Sequence, residues 1–424
     1  MQTNHRRTFL KAAGATAAFS AFPNILVGAP ANSAKLKIGL VGAGGRGTGA
    51  AQQALSADEN TVLWAIADTF ESQIPKALQN LKRFEGRLEV PQERQFSGLD
   101  GYQKLIESGV DVILLASPPG FRPEHMRAAV EAGKHVFAEK PMAVDVAGMK
   151  SVVETARIAK EKGLTLQHGY CWRFAPATRE GYGKVLAGDL GRVISVYGTY
   201  LANVAKPSAS IDQRNPEWGD VEWQIRNWIS HEWLSGGPLV EQAIHVVDKV
   251  SWALGDVDPI AARGGGGRGQ REDDGNVWDH YDVTYEYPGG VFCHVGQRQH
   301  SSCFNEVVDR VFCEKGMLEA PGRVFTRDHA GKMTWAFRGE GGNMYQVCHN
   351  EWFAAIRKGE ELNTGDLMVR STMLGILGRE AAHTGQRVTW EDLWKSEQDH
   401  APDSLKLPDK NPVPPVPKPG TYKI

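Results

Sequence analysis

The feature that most constrains this chain is a short apolar strand running straight into a glycine turn. Leu36-Lys37-Ile38-Gly39-Leu40-Val41 has the composition of a buried strand. Gly42-Ala43-Gly44-Gly45-Arg46-Gly47 follows without a break, and the Ala- and Gln-rich stretch from Thr48 to Leu55 predicts a helix. With 47 glycines among 424 residues, a G-x-G-x-x-G run alone would be weak evidence. Here a second strand, Thr61 to Ala67, ends in Asp68, 21 residues past Gly47. That is the spacing of a dinucleotide-binding unit. The glycines permit a tight turn and let a pyrophosphate approach the free N–H groups of the helix N-terminus. Asp68 would accept hydrogen bonds from ribose hydroxyls and repel a 2′-phosphate, and Thr69-Phe70 supply no Arg to reverse that. NAD is therefore expected over NADP, with Gly42, Gly44, Gly45, Arg46, Gly47 and Asp68 as cofactor contacts.

The alternation of strand and helix continues. Val110 to Ala116 is an apolar strand ending in Ser117-Pro118-Pro119-Gly120, and Pro123 opens a helix that stops at Gly133. His135 to Ala138 is the next strand, followed by Glu139-Lys140-Pro141. A helix over about Val144 to Lys162 leads to a last strand, Leu164 to His168. Such a rhythm predicts a doubly wound, mostly parallel Rossmann sheet over residues 35–170. Ligands bind at the strand C-termini of such sheets, which adds Ser117, Pro118, His125, Glu139 and Lys140 to the candidate cofactor contacts.

From Cys171 the grammar changes. Arg192 to Leu201 alternates like an open-faced strand. Tyr281 to Tyr287, the turn Pro288-Gly289-Gly290 and Val291 to Gln299 read as a hairpin. Residues 171–400 are therefore expected to form an α+β domain with a large, open, mainly antiparallel sheet. Six prolines between Leu407 and Thr421 mark residues 401–424 as an extended arm along the surface or a neighbouring subunit.

Gly236-Gly237-Pro238 introduces a predicted helix ending at Gly255, with Val240, Ile244, Val247, Ser251 and Leu254 as its buried stripe. Glu241, His245, Asp248 and Trp252 follow at spacings of four, three and four, which would put them on one face. Solvated faces are usually rich in Lys and Glu; a carboxylate, an imidazole, a second carboxylate and an indole together suggest a reactive site. No third ligand at metal spacing accompanies Glu241 and His245, so no metal is expected. Tryptophans at 218, 223, 228 and 233 share no helical face. They suit either a sugar's C–H face or a small hydrophobic cluster of their own.

Composition excludes several other classes. Forty-eight Lys and Arg against 50 Asp and Glu lack the basic excess of a nucleic-acid binder. Five scattered cysteines with no C-x-x-C argue against a disulfide scaffold or thiolate zinc site. No apolar run is long enough to span a bilayer. At the N-terminus, Arg6-Arg7-Thr8-Phe9-Leu10-Lys11, a weakly apolar stretch to Val27 and Ala29-Pro30-Ala31 have the three parts of a twin-arginine export signal. Residues 1–31 are thus expected to engage that machinery and direct the protein to the periplasm. Cleavage after Ala31 would remove three cations and no acid, making the formal net charge of −2 more negative.

The glycine turn, Asp68, Glu139-Lys140-Pro141 and Gly236-Gly237-Pro238-Leu239-Val240-Glu241-Gln242-Ala243-Ile244-His245-Val246-Val247-Asp248 together resemble the Gfo/Idh/MocA family. The likeness extends to Arg226-Asn227-Trp228 and to Asn276 through Tyr287. It implies hydride exchange between a nicotinamide and a secondary alcohol or ketone of a sugar, glycoside or cyclitol. It also implies Lys140 as the group that stabilises a developing alkoxide and His245 as the general base. Glu241 stands where the family usually has Asp. Arg173, Arg226, Trp228, Asp248 and His280 are the substrate-side candidates, and a homo-oligomer, dimer or tetramer, is expected. An exported member would meet little free NAD and would keep its cofactor tightly bound. The same residues would also serve an NAD-assisted glycoside hydrolase or lyase working by transient oxidation and elimination.

Overall fold

A computed structural model describes residues 34–424 except Ala205, so the expected export signal lies outside the described residues. β1 (Leu36–Val41), β2 (Thr61–Asp68), β3 (Gln95–Ser97), β4 (Val112–Leu115), β5 (His135–Ala138) and β6 (Leu166–His168) form a parallel sheet in the order β3-β2-β1-β4-β5-β6. All four residues of β4, Val112 to Leu115, are buried, as expected for a parallel strand covered on both faces. Strand order reverses between β1 and β4, which opens a crevice at their C-terminal ends. The short edge strand β3 had no clear sequence signal: Gln95-Phe96-Ser97 is neither buried nor strongly patterned.

The second sheet comprises β7 (Val193–Ala202), β8 (Ala261–Gly267), β9 (His280–Tyr287), β10 (Val291–Gln299), β11 (Glu306–Cys313), β12 (Gly316–Ala320), β13 (Phe325–Arg327), β14 (Met333–Ala336) and β15 (Val388–Thr389). Its order is β14-β13-β12-β11-β7-β10-β9-β8-β15, and every pairing is antiparallel except β7 with β10. Cys293, Val295 and Gln297 of β10 are buried on one face, while Phe292 is exposed on the other. The helix Ile244–Ala253 packs on the buried face, and the helix Gly365–Thr384, buried along most of its length, lies beside it.

One buried cation ties these parts together. Arg379 donates from Nη1 to Val144 O at 2.7 Å and to Gly236 O at 3.3 Å. The same guanidinium pairs with Glu380 at 2.6 Å and Glu232 at 3.2 Å. It thereby fixes the connection after β5, the loop before the helix Gly237–Glu241 and the long helix to one another.

The helix expected from Gly236 to Leu254 is not continuous. It consists of Gly237–Glu241 and Ile244–Ala253, with Gln242 and Ala243 between them. The break rotates Glu241 relative to the second segment, so the four-residue face inferred from continuous helical spacing does not form. Among the described residues, no helix is long and apolar enough to cross a membrane.

Candidate functional site

A cavity of about 850 Å³ opens at the C-terminal edge of the parallel sheet and is roofed by the second domain. At its inner end lies the glycine turn. Gly42 has φ +93°, and a Cβ on Gly47 would fall 1.8 Å from Gly42 O, so neither position takes a side chain without moving backbone. Gly44 and Gly45 have open space where a Cβ would stand, facing the cavity. Asp68 accepts from the amides of Ala43 at 2.8 Å and Phe70 at 2.9 Å, which pins its carboxylate at the cavity edge. Burial pulls its pKa upward against these two bonds. Bare glycines beside a helix N-terminus, with an anchored carboxylate at the next strand end, fit the diphosphate and ribose of a dinucleotide.

Beyond β4, Ser117 Oγ and His125 Nδ1 are hydrogen-bonded at 3.1 Å, and the His125 ring stacks 4.0 Å from Tyr102. Burial, reinforced by Arg122, lowers the His125 pKa to about 3, so this ring is neutral. Arg122, buried and absent from the sequence reading, donates to the carbonyls of Ser117 and Pro141. It braces the two strand-end loops that carry Ser117 and Lys140. Arg46 pairs with the buried Glu139 at 3.1 Å and lies 4.5 Å from the Tyr345 ring centre. Tyr345 also lines the cavity but comes from the helix Met344–Lys358, so no local motif could have exposed it.

The second domain completes the site. Lys140 Nζ donates to Glu241 Oε1 at 2.9 Å and also to the Glu241 carbonyl. His245 lines the same cavity, and its buried Nδ1 has no hydrogen-bond partner. Desolvation, then Lys140 and Lys249, push the His245 pKa well below the ordinary imidazole value. The result is a neutral imidazole beside a carboxylate-held ammonium: one group that can take a proton and one that can stabilise negative oxygen.

Of the substrate-side candidates, Arg226 and Trp228 line the cavity, whereas Arg173, Asp248 and His280 do not. Arg173 is buried between Asp248, at 2.9 Å, and Asp256, at 2.7 Å. Asp248 also accepts from Ser371 Oγ at 2.6 Å. These two are core ion-pair residues: Asp248, on the same helical segment as His245, is held by Arg173 and Ser371 and not by the cavity, and Trp252 is stacked on Tyr182 at 4.4 Å. His280 and His300 instead share the buried carboxylate of Asp279, at 2.8 and 3.0 Å. Burial would raise that carboxyl, but the His280 and His300 bonds and the Gln270 and Gly269 amides outweigh it and hold it well below the usual range. Asn227 and Lys206 also line the cavity; Asn227 entered only as part of the Arg226-Asn227-Trp228 likeness, and Lys206 belongs to no recognisable spacing.

The fold and this cavity define a dinucleotide-binding Rossmann domain joined to an open-sheet domain that supplies the second half of the site. Residues 36–170 match the model "Oxidoreductase family, NAD-binding Rossmann fold", and residues 184–319 match "GFO/IDH/MocA C-terminal domain". The chain belongs to the Gfo/Idh/MocA family, and its first domain is an NAD-binding one. A glycosyl hydrolase family 109 protein of Shewanella baltica (strain OS195) is 25% identical over 260 residues, 56% of this chain and 55% of that protein. The chain thus spans about half the length of that relative. D-glucoside 3-dehydrogenase of Escherichia coli (strain K12) is 30% identical over 145 residues, 34% of this chain and 36% of that protein. The structure of aldose-aldose oxidoreductase from Caulobacter crescentus superposes with a TM-score of 0.66 at 20% identity, covering 84% of this chain and 99% of that one, and shows the shared fold.

A base held neutral by its surroundings stays active as pH falls. Turnover per dinucleotide-loaded site should hold level below ~6.5, where an unperturbed imidazole would begin to protonate. Lys249, four residues past His245, is buried in an ion pair with Asp309 of β11. Replacing both, Lys249→Met with Asp309→Asn, removes a cation that disfavours imidazolium, so the acid limb of the pH–rate profile should move to higher pH. A limb that stays in place would show that Lys249 does not set the basicity of His245.

Proposed function

We propose that the protein is an exported, NAD-dependent oxidoreductase acting on a secondary alcohol or ketone of a sugar, glycoside or cyclitol. The observation that carries this reading is the meeting of Lys140, Glu241 and His245 in one cavity with the glycine turn and Asp68. When bound, the dinucleotide supplies a nicotinamide that accepts or returns hydride. The chain's own groups handle the proton. In oxidation, neutral His245 takes the hydroxyl proton while the Lys140 ammonium donates a hydrogen bond to the oxygen on which charge develops. Glu241 keeps Lys140 aimed, and the Arg46–Glu139 pair fixes the strand end from which Lys140 projects. Closure by the second domain keeps water from the reacting carbon.

A second reading is favoured by the likeness to glycosyl hydrolase family 109. Oxidation at one carbon would acidify the neighbouring C–H. Loss of that proton and of the glycosidic oxygen, which leaves as the aglycone alcohol, gives an enone. Water adds across its double bond, and return of hydride to the ketone would restore the cofactor without net redox. Chromatography of reactions with simple glycosides separates the two. A keto-sugar that accumulates with a second carbonyl acceptor supports the oxidoreductase, whereas free reducing sugar with no redox change supports the hydrolase. Under either reading, Lys140→Met should lower turnover by about 10³-fold; undiminished turnover would remove Lys140 from the chemistry.

The twin-arginine segment at Arg6-Arg7 supports periplasmic export, and tight cofactor retention suits that compartment. The exposed Phe292 and the stacked pair Tyr197 and His294, 5.3 Å between ring centres, lie on the open face of the second sheet and support a homo-oligomer. Cell fractionation and light scattering check both statements. Wild type should be periplasmic and at least dimeric, and Arg6→Lys with Arg7→Lys should remain in the cytoplasm. A cytoplasmic or monomeric wild type would refute the corresponding statement.

A further inference from the structure

Arg226 was expected to face substrate, yet its surroundings belong to the other end of the cavity. Its guanidinium lies 3.8 Å from the ring centre of Phe70 and 4.2 Å from that of Trp218. Glu222 holds it from one turn earlier, at 2.7 and 3.0 Å. Phe70 belongs to the first domain and stands two residues past Asp68, the ribose-end carboxylate. Thr69, Gln73 and Leu99 line the cavity beside it. Arg226 is therefore clasped between an aromatic ring of each domain, where the cavity would receive an adenosine.

The helix that presents Arg226, Asp220–Arg226, has seven residues, too few to be stable alone. The C-terminal arm holds it. Asp220 N donates to Asp409 O at 2.9 Å and Glu222 N to Leu407 O at 3.2 Å. Asn411 donates from N to Asp220 Oδ2 at 3.0 Å and from Nδ2 to Gln224 Oε1 at 2.8 Å. Leu405 and Leu407 pack into the cluster formed by Val221, Ile225, Trp233 and Phe121. The far end of the arm is tied to the second domain. Trp278 Nε1 donates to Pro417 O at 3.1 Å, and Gly420 N donates to Thr384 O at 3.0 Å. Its prolines limit the conformations the arm could adopt if released.

We propose that the Phe70–Arg226–Trp218 stack is a latch over the adenosine half of the bound dinucleotide, and that the C-terminal arm is the strap that keeps the latch closed. This rests on the dinucleotide reading of the cavity and explains how a cofactor is retained through turnover. It assigns Arg226 to the cofactor and gives residues 405–411 a positioning role.

The test is release of radiolabelled NAD from the full-length loaded protein, chased with excess unlabelled NAD. Arg226→Ala should speed release by about tenfold. Leu407→Ala with Asn411→Ala, both outside the cavity, should speed it similarly while the far-UV circular dichroism stays native. Adding the arm changes to Arg226→Ala should then have little further effect, because both act through one contact. Arg226 is partly exposed, so its variant reads the latch directly even if the arm variant fails to fold. Wild-type release rates in both variants would overturn the proposal. Additive acceleration would overturn the strap, and a wild-type protein that binds no NAD would overturn the dinucleotide reading itself.

Discussion

The contact on which the site depends is the hydrogen bond from Lys140 to Glu241. Lys140 lies two residues past the end of β5 in the first domain, and Glu241 ends a short helix of the second. Under the proposed function, neither domain alone would provide both a place for the nicotinamide and the groups facing an alcohol. A lysine without this partner would be a flexible surface ammonium; held at 2.9 Å by a carboxylate, it is a fixed positive charge. Burial first, and then this same ammonium, push the His245 pKa well below the ordinary imidazole value, so the imidazole beside Lys140 is neutral.

This contact survives because the interface around it is rigid. Arg379 is wholly buried, and besides Glu380 on its own helix it holds Val144 of the first domain and the Glu232–Gly236 segment of the second. Such a charge in a low-dielectric interior is tolerable only when every partner is in place, which sets the relative position of those segments sharply. Arg122 does the same on a smaller scale for the loops after β4 and β5. The Arg173–Asp248–Asp256 network fixes the helix bearing His245 from behind, which is why residues expected to meet substrate are found in the core.

Much of this was legible in the sequence, for local physical reasons. The glycine turn and Asp68 are separated by a single strand–helix–strand unit, and a short-range rule fixes their meeting. Glu139-Lys140 was readable because strand ends in a parallel sheet converge. The loss of the shared face was not, because extrapolating one helical period from Glu241 to His245 ignores the break at Gln242-Ala243. The burial of Asp248 and Arg173 follows from their pairing with each other and with Asp256, which no local spacing announces. Tyr345, Arg122 and the arm's grip on Asp220–Arg226 also escaped. Tyr345 and the arm depend on packing between segments far apart in the chain, about which residue spacing carries no information, and Arg122 acts through backbone carbonyls of nearby loops, which no motif marks.

The central claim is that Lys140 and His245 act as a unit on one alcohol beside the nicotinamide. Single-turnover hydride transfer, followed by the nicotinamide absorbance in Lys140→Met, His245→Asn and the double variant, tests it most directly. If the two groups serve one transition state, the double variant will be scarcely slower than the worse single variant. Losses that simply multiply would mean that the two residues act independently, and would contradict the account.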